Sequence, residues 1–206
     1  MIHPHVASRT VLMAQLRDAT AAIREDRELL GGRVSCLDYR MYLLRMYGFH
    51  ANIERALKAC RPLAAVVPDA ALRNHKAALL AADLVALGVE RIELAQAPRM
   101  PFPGTLQLAE AIGWTYVVES IAQGSKQLAR HLARQLPGEL SRASAYLGCY
   151  GGEAAERWRE LGVALDAHEA ADPDRIVTAA RDGFLQLGAW VRPALPTPPP
   201  RTRIHA

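Results

Sequence analysis

The stretch GWTYVVESIAQGSKQLARHL, residues 113–132, lies within a proline-free interval that runs from 104 to 136. Proline breaks helix interiors, so its absence over such a length is itself a signal. Apolar residues recur through the interval at helical rather than alternating spacing, and the run far exceeds the length of an ordinary strand. The spacing therefore predicts one long helix from Leu106 to Leu136. Its centre carries Gly113, Ser120, Gly124 and Ser125. Small residues four and five apart strip bulk from one side of a helix and loosen it locally. Two uses fit that feature: close contact with another helix, or close approach of a flat ligand.

Outward from this segment the other proline-free intervals are 5–61, 69–97, 138–172 and 174–192. Each carries a stripe with helical period. Leu12, Leu16, Ala19 and Ile23 form the first. After a Gly31-Gly32 break come Tyr39, Tyr42, Met46, Phe49, Ile53 and Leu57. Leu72, Leu79, Leu80 and Leu84 mark a third helix, Trp158, Leu161 and Leu165 another, and Ile176, Ala180, Phe184, Leu187 and Val191 the last. Asp38 fits an N-cap for the second helix, and Asp174 starts the last one behind Pro173. Strand-like alternation is almost absent. The expectation is an all-α, multi-helical single domain of six to nine helices over residues 10–192. An extension, 1–9, precedes it, and a Pro/Arg-rich tail, 193–206, follows.

Composition narrows the function. The 206 residues suit one core, and half of them are hydrophobic. The formal charge of +4 comes almost entirely from arginine, since the lysines are Lys58, Lys76 and Lys126. No basic block is dense enough for nucleic acid, and the modest excess favours anionic small molecules or acidic partners. Cys36, Cys60 and Cys149 are odd in number and form no CxxC pair, which argues against disulfides or a zinc knuckle and for reduced, partly buried thiols. No apolar run is long enough to span a membrane, and no secretory signal opens the chain, so a cytoplasmic protein is expected. GxSxG, HExxH and P-loop motifs are missing.

Four segments carry a family resemblance. LRDATAAI (16–23), DYRMYLLRMYGFHANIERAL (38–57), GWTYVVESIAQGSKQLARHL (113–132) and YLGCYGGEAAERWRELG (146–162) follow one another in the chain. In that order they resemble the first helix, the second helix, the kinked distal helix and a later loop and helix of bacterial heme oxygenases associated with bacteriophytochromes. The resemblance spans roughly residues 10 to 190. It implies the all-helical heme oxygenase fold, with heme held between the first and distal helices. It further implies cleavage of heme to biliverdin, carbon monoxide and iron, with electrons from a ferredoxin or flavin reductase. A bacteriophytochrome would be the expected partner.

Carried over by residue, Thr20 matches the first-helix motif, but Arg24 stands four residues on, where the resemblance implies the iron-ligating histidine. A guanidinium stays protonated and offers no lone pair. On the distal helix Gly124 matches a family glycine, whereas Ser120 and Ser125 replace glycines and Lys126 replaces glutamine. Arg17 matches a position that can meet a heme propionate. It lies seven residues from Arg24, two turns and about 10 Å along the same face. The candidate tetrapyrrole-binding residues are thus Arg17, Thr20, Arg24, Ser120, Gly124, Ser125 and Lys126. His3, His5, His50, His75, His131 and His168 offer no motif that would replace the ligand, and Cys149 shows no sign of a lowered pKa. Glu110, Glu119, Asp166, His168 and Glu169 lack the i, i+3 or i, i+4 pairing of a di-iron site. Two functions follow as expectations: a heme oxygenase with an unusual proximal side, or a degenerate relative that binds heme, biliverdin or a protein partner without turnover.

Overall fold

Ser35 opens the longest of the early helices with a reciprocal cap. Its hydroxyl accepts from the Asp38 backbone N–H at 3.2 Å, and the Asp38 carboxylate accepts from the Ser35 backbone N–H at 2.9 Å. This corrects the assignment of Asp38 as N-cap. Asp38 is the third helical residue of a capping box, where an acidic side chain reaches back to satisfy the free donor. The computed structural model describes residues 12–25, 33–168 and 172–192. The Gly31-Gly32 break, Glu169, the N-terminal extension with His3 and His5, and the tail lie outside the described residues.

Among those residues the chain forms nine α-helices and no strand. They are α1 (Leu12–Glu25), α2 (Cys36–Ala59), α3 (Ala70–Arg73), α4 (Lys76–Ala86), α5 (Arg91–Gln96), α6 (Leu108–Ala133), α7 (Pro137–Arg142), α8 (Ala154–Ala167) and α9 (Pro173–Val191). Single 3-10 turns cover Arg61–Ala65 and Gly151–Glu153. The long helix expected over 106–136 is α6. It starts behind a capping box in which the Gln107 backbone N–H donates to Glu110, and it ends before Pro137. For α9 the Asp172 carboxylate accepts from the Arg175 backbone N–H at 3.0 Å, with Pro173 at the first helical position and Asp174 behind it.

The third helix divides in two. Asn74 and His75 leave helical geometry between α3 and α4, and Leu72, expected in the stripe, is 57% exposed. The physical reason is that Arg73 and Lys76 turn inward in its place, both about 1% exposed. The stripes of α2 and α9 are buried as the spacing predicts. Cys60 is buried and Cys149 half-buried, but Cys36, expected to be partly covered, is exposed at the first residue of α2.

The core is α6 packed on α9 and α2, with α4 behind α2 and with α1 and α8 against α9 and α6. The helices α6 and α9 meet almost backbone to backbone. A Cβ on Gly113 would stand 2.5 Å from the Ile176 carbonyl oxygen, and one on Gly183 would stand 2.8 Å from a Val117 methyl. Glycine is required at both places because no side chain fits. Close helix contact thus falls at Gly113, one of the two uses expected of the small residues in this helix.

Candidate functional site

The face of α1 that carries Leu16 and Thr20 is buried. The Thr20 hydroxyl donates to the Leu16 carbonyl one turn back at 2.7 Å, so this side chain is satisfied within its own helix. Residue 24 continues the helix one further turn along, which places it at the register of Thr20. Arg17 is exposed on the same helix. The start of α1 is anchored on α8. The Met13 backbone N–H donates to the Asp166 carboxylate at 2.9 Å, and the Met13 side chain packs over Gly162.

The other end of α8 rests on α6. Trp158 stacks on Tyr116 with ring centroids 5.4 Å apart, and the Gln123 amide donates to the Ala154 carbonyl. The helix α8 is therefore a common support for the two elements that carry all the candidate residues. Along α6 every residue from Ala111 to Ser120 is buried, Ile121 and Gln123 are half-buried, and Gly124 is the first exposed residue after them. Ser120 and Ser125 are buried, and their hydroxyls donate to the carbonyls of Tyr116 (2.7 Å) and Ile121 (3.3 Å). Each serine thus spends its polarity within α6. Gly124 is exposed, and a Cβ there would meet nothing within 4 Å, while Lys126 projects into solvent. Gly124 and Lys126 are thus each open to solvent, about 200° apart around the helix, while Ser120 and Ser125 are buried.

Beside Ser120 lies a polar cluster that the sequence reading missed. The Glu119 carboxylate, 2% exposed, receives Arg73 Nη1 at 2.7 Å on one oxygen and Lys76 Nζ at 2.9 Å on the other. The second oxygen also receives the Tyr150 hydroxyl at 2.8 Å. Burial and the Glu119 charge push the Tyr150 phenol far up, so it stays protonated and remains a donor. A legible signal existed, because Glu119 interrupts an otherwise apolar run. Next to it His50 is fully buried, with Nε2 at 3.2 Å from the Tyr146 hydroxyl. Burial, reinforced by the charge of Lys76, holds the imidazole well below its ordinary pKa.

No histidine stands on α1. His50 belongs to the core, His131 is paired with Gln135 at 2.9 Å, and His75 and His168 are half-buried at the starts and ends of other helices. Burial raises the Cys149 thiol away from the thiolate form a metal needs. The acidic residues weighed as a di-iron set are scattered: Glu110 holds Gln107 and Arg175, Glu119 its two cations, and Asp166 the Met13 N–H. Among the described residues no group of three could hold a metal ion.

Comparison with known proteins bears on this arrangement directly. The family model for heme oxygenase matches residues 12–193. The chain belongs to the heme oxygenase family. Among solved structures it is similar to the heme oxygenase of Neisseria meningitidis, determined with NO and CO bound, at 21% sequence identity. The match has a TM-score of 0.73 and covers 94% of this chain and 98% of that one. At that identity the likeness speaks for the heme oxygenase fold. Nothing among curated proteins matches the chain. No helix among the described residues is long and apolar enough to cross a membrane.

Proposed function

We propose that this heme oxygenase relative binds a tetrapyrrole between α1 and the open face of α6, without an iron ligand from α1. The observation that carries this reading is the register of position 24. It stands one helical turn beyond the buried Thr20, and there the chain presents arginine. A protonated guanidinium pairs well with a carboxylate and cannot donate electrons to a metal. Arg17 and Arg24 then act on the propionates of heme or of biliverdin. Gly124 admits the flat face of the ring, because no Cβ is present and nothing crowds the position.

A second reading is oxidative cleavage of heme to biliverdin, carbon monoxide and iron, supplied with electrons by a ferredoxin or flavin reductase. Family membership over almost the whole described chain favours it. It would place the product where a bacteriophytochrome could take it up. In either reading the protein orients the tetrapyrrole and excludes water, and the redox chemistry comes from the bound group.

Titration of the purified full chain with hemin and with biliverdin separates the two. Binding of both pigments, with a Soret band lacking the signature of histidine ligation and no turnover with a reductant, is the expected result. Conversion of hemin to biliverdin under the same conditions establishes the second reading. Indifference to both pigments removes the tetrapyrrole from the account and leaves a protein partner as the occupant.

A further inference from the structure

Three ionic side chains are sealed beneath the α6 face, and stability alone does not account for them. Arg73, Lys76 and Glu119 are each 2% exposed or less. Taking charges out of water costs about what their attraction returns, and apolar residues of like volume commonly serve stability as well or better. What such a network supplies is a single arrangement of the parts it joins.

The parts joined here are four. The Arg73 fork donates from Nε to the Pro68 carbonyl at 2.8 Å, from Nη1 to Glu119 on α6 at 2.7 Å, and from Nη2 to the Arg157 carbonyl on α8 at 2.9 Å. Lys76 Nζ donates to the Arg73 carbonyl at 2.6 Å, to Glu119 at 2.9 Å and to the Tyr150 hydroxyl at 2.9 Å. Both oxygens of Glu119 are therefore filled by directional donors from other elements, which leaves α6 no freedom to rotate or slide at that residue.

The anchoring falls where α6 most needs it. Immediately after Glu119 come Ser120, Gly124 and Ser125, residues of weaker helix propensity than alanine. The two serine hydroxyls bond the carbonyls four residues back, an arrangement that tends to bend helices. Left to itself, the segment that forms the open face would be the least determined part of the helix.

We infer that Arg73 and Lys76 are positioning residues for the tetrapyrrole: by gripping Glu119 they fix the place that Gly124, five residues on, offers to the ring. The inference rests on the tetrapyrrole reading of this face. It requires Arg73 in particular, because its planar fork fixes the directions to Pro68, Glu119 and Arg157 together, which the freely rotating point charge of a lysine ammonium does not.

The test replaces the network as a whole, with Arg73→Met, Lys76→Met and Glu119→Leu combined in the full chain. Melting temperature and affinity for hemin and biliverdin are measured side by side, with the circular dichroism of the bound pigment. The expected result is a melting temperature at or above that of the parent, affinity reduced tenfold or more, and a changed pigment dichroism. A merely structural role would move stability and binding together. Parent-like affinity and dichroism in the folded triple variant overturn the inference. Should the triple variant not fold, Glu119→Gln decides at a temperature well below its melting point: weakened binding with altered dichroism supports positioning, and parent-like binding overturns it. If the unaltered protein binds neither pigment, the tetrapyrrole reading and the inference fall together.

Discussion

His50 Nδ1 stands 3.8 Å from Glu54 Oε1, one turn along α2, in a part of the core where both side chains are buried. The imidazole nitrogen has no hydrogen-bond partner, while the same carboxylate oxygen accepts the Ala77 backbone N–H at 2.9 Å. Tyr146, on the other ring nitrogen, is held by Asp83, whose carboxylate accepts the backbone N–H groups of Ala145 and Tyr146 at 2.8 Å each. Around His50 the groups that respond to protons are thus Glu54, Lys76, Tyr146 and, through Tyr146, Asp83.

This arrangement predicts acid sensitivity with a definite sign. The folded-state pKa of His50 lies well below its ordinary value of 6.5. Between those two values the unfolded chain holds a proton that the native chain does not, so stability falls as pH drops below 6.5. The slope approaches about 1.4 kcal/mol per pH unit for one proton. Burial raises Glu54 and Asp83 above their ordinary values, so these carboxyls take up protons more readily when folded. They oppose the trend at lower pH. Melting temperatures from pH 7.5 to 5.5 should decline in the parent and flatten in His50→Gln. Equal slopes in the two proteins would show that another group is responsible.

Gly113 is tighter than Gly183, the other glycine of the α6–α9 contact. An added methyl would press on the Ile176 carbonyl at 2.5 Å and the Ala179 Cβ at 2.8 Å, neither of which can yield without moving α9. Overpacking of this kind costs about 1–3 kcal/mol. Gly113→Ala should therefore lower stability by about 2 kcal/mol in denaturant unfolding, against the gain that alanine normally brings to a helix. A variant as stable as the parent would mean that the two helices are farther apart than described.

Gly124→Ala separates stability from binding at the opposite kind of site. Nothing lies within 4 Å of its added Cβ, so the substitution should raise stability by up to about 1 kcal/mol through helix propensity alone. On the tetrapyrrole reading, larger replacements such as Gly124→Leu should then lower pigment affinity while leaving the melting temperature near that of the parent. Unchanged affinity in Gly124→Leu would remove this face from the binding site.

Most of the fold was legible because helices write their buried faces at a period the eye can follow. Tyr39 to Leu57 and Ile176 to Val191 are buried as their spacing predicts, and proline marks where α6 and α9 begin or stop. The failures share one cause. Leu72 is apolar and falls in the stripe, yet the inward positions at this turn belong to Arg73 and Lys76. No periodicity reports that a buried charge will find its partner 43 residues away, as Lys76 finds Glu119. At the candidate site, the spacing that puts Leu16 and Thr20 on one stripe of α1 is matched by their burial. That Ser120 and Ser125 turn their hydroxyls back into α6 required coordinates.

The remaining prediction concerns Arg24 itself. Position 24 belongs to the final turn of α1 and extends the face that carries Leu16 and Thr20, so a side chain there starts from the register that a proximal ligand would need. Histidine at this position would restore a neutral imidazole donor in place of a cation. Arg24→His should therefore change the Soret band of the hemin complex to that of a histidine-ligated heme and tighten hemin binding relative to biliverdin, because only the iron-bearing ligand gains a bond. The loss of one guanidinium acts on both pigments alike, through the carboxylates they share, and weakens biliverdin without compensation. A selective gain for hemin shows that the cavity survives and that the ligand alone was exchanged. An unaltered Soret band with equal losses for both pigments would show that the last turn of α1 does not face the ring, and would move the binding site away from position 24.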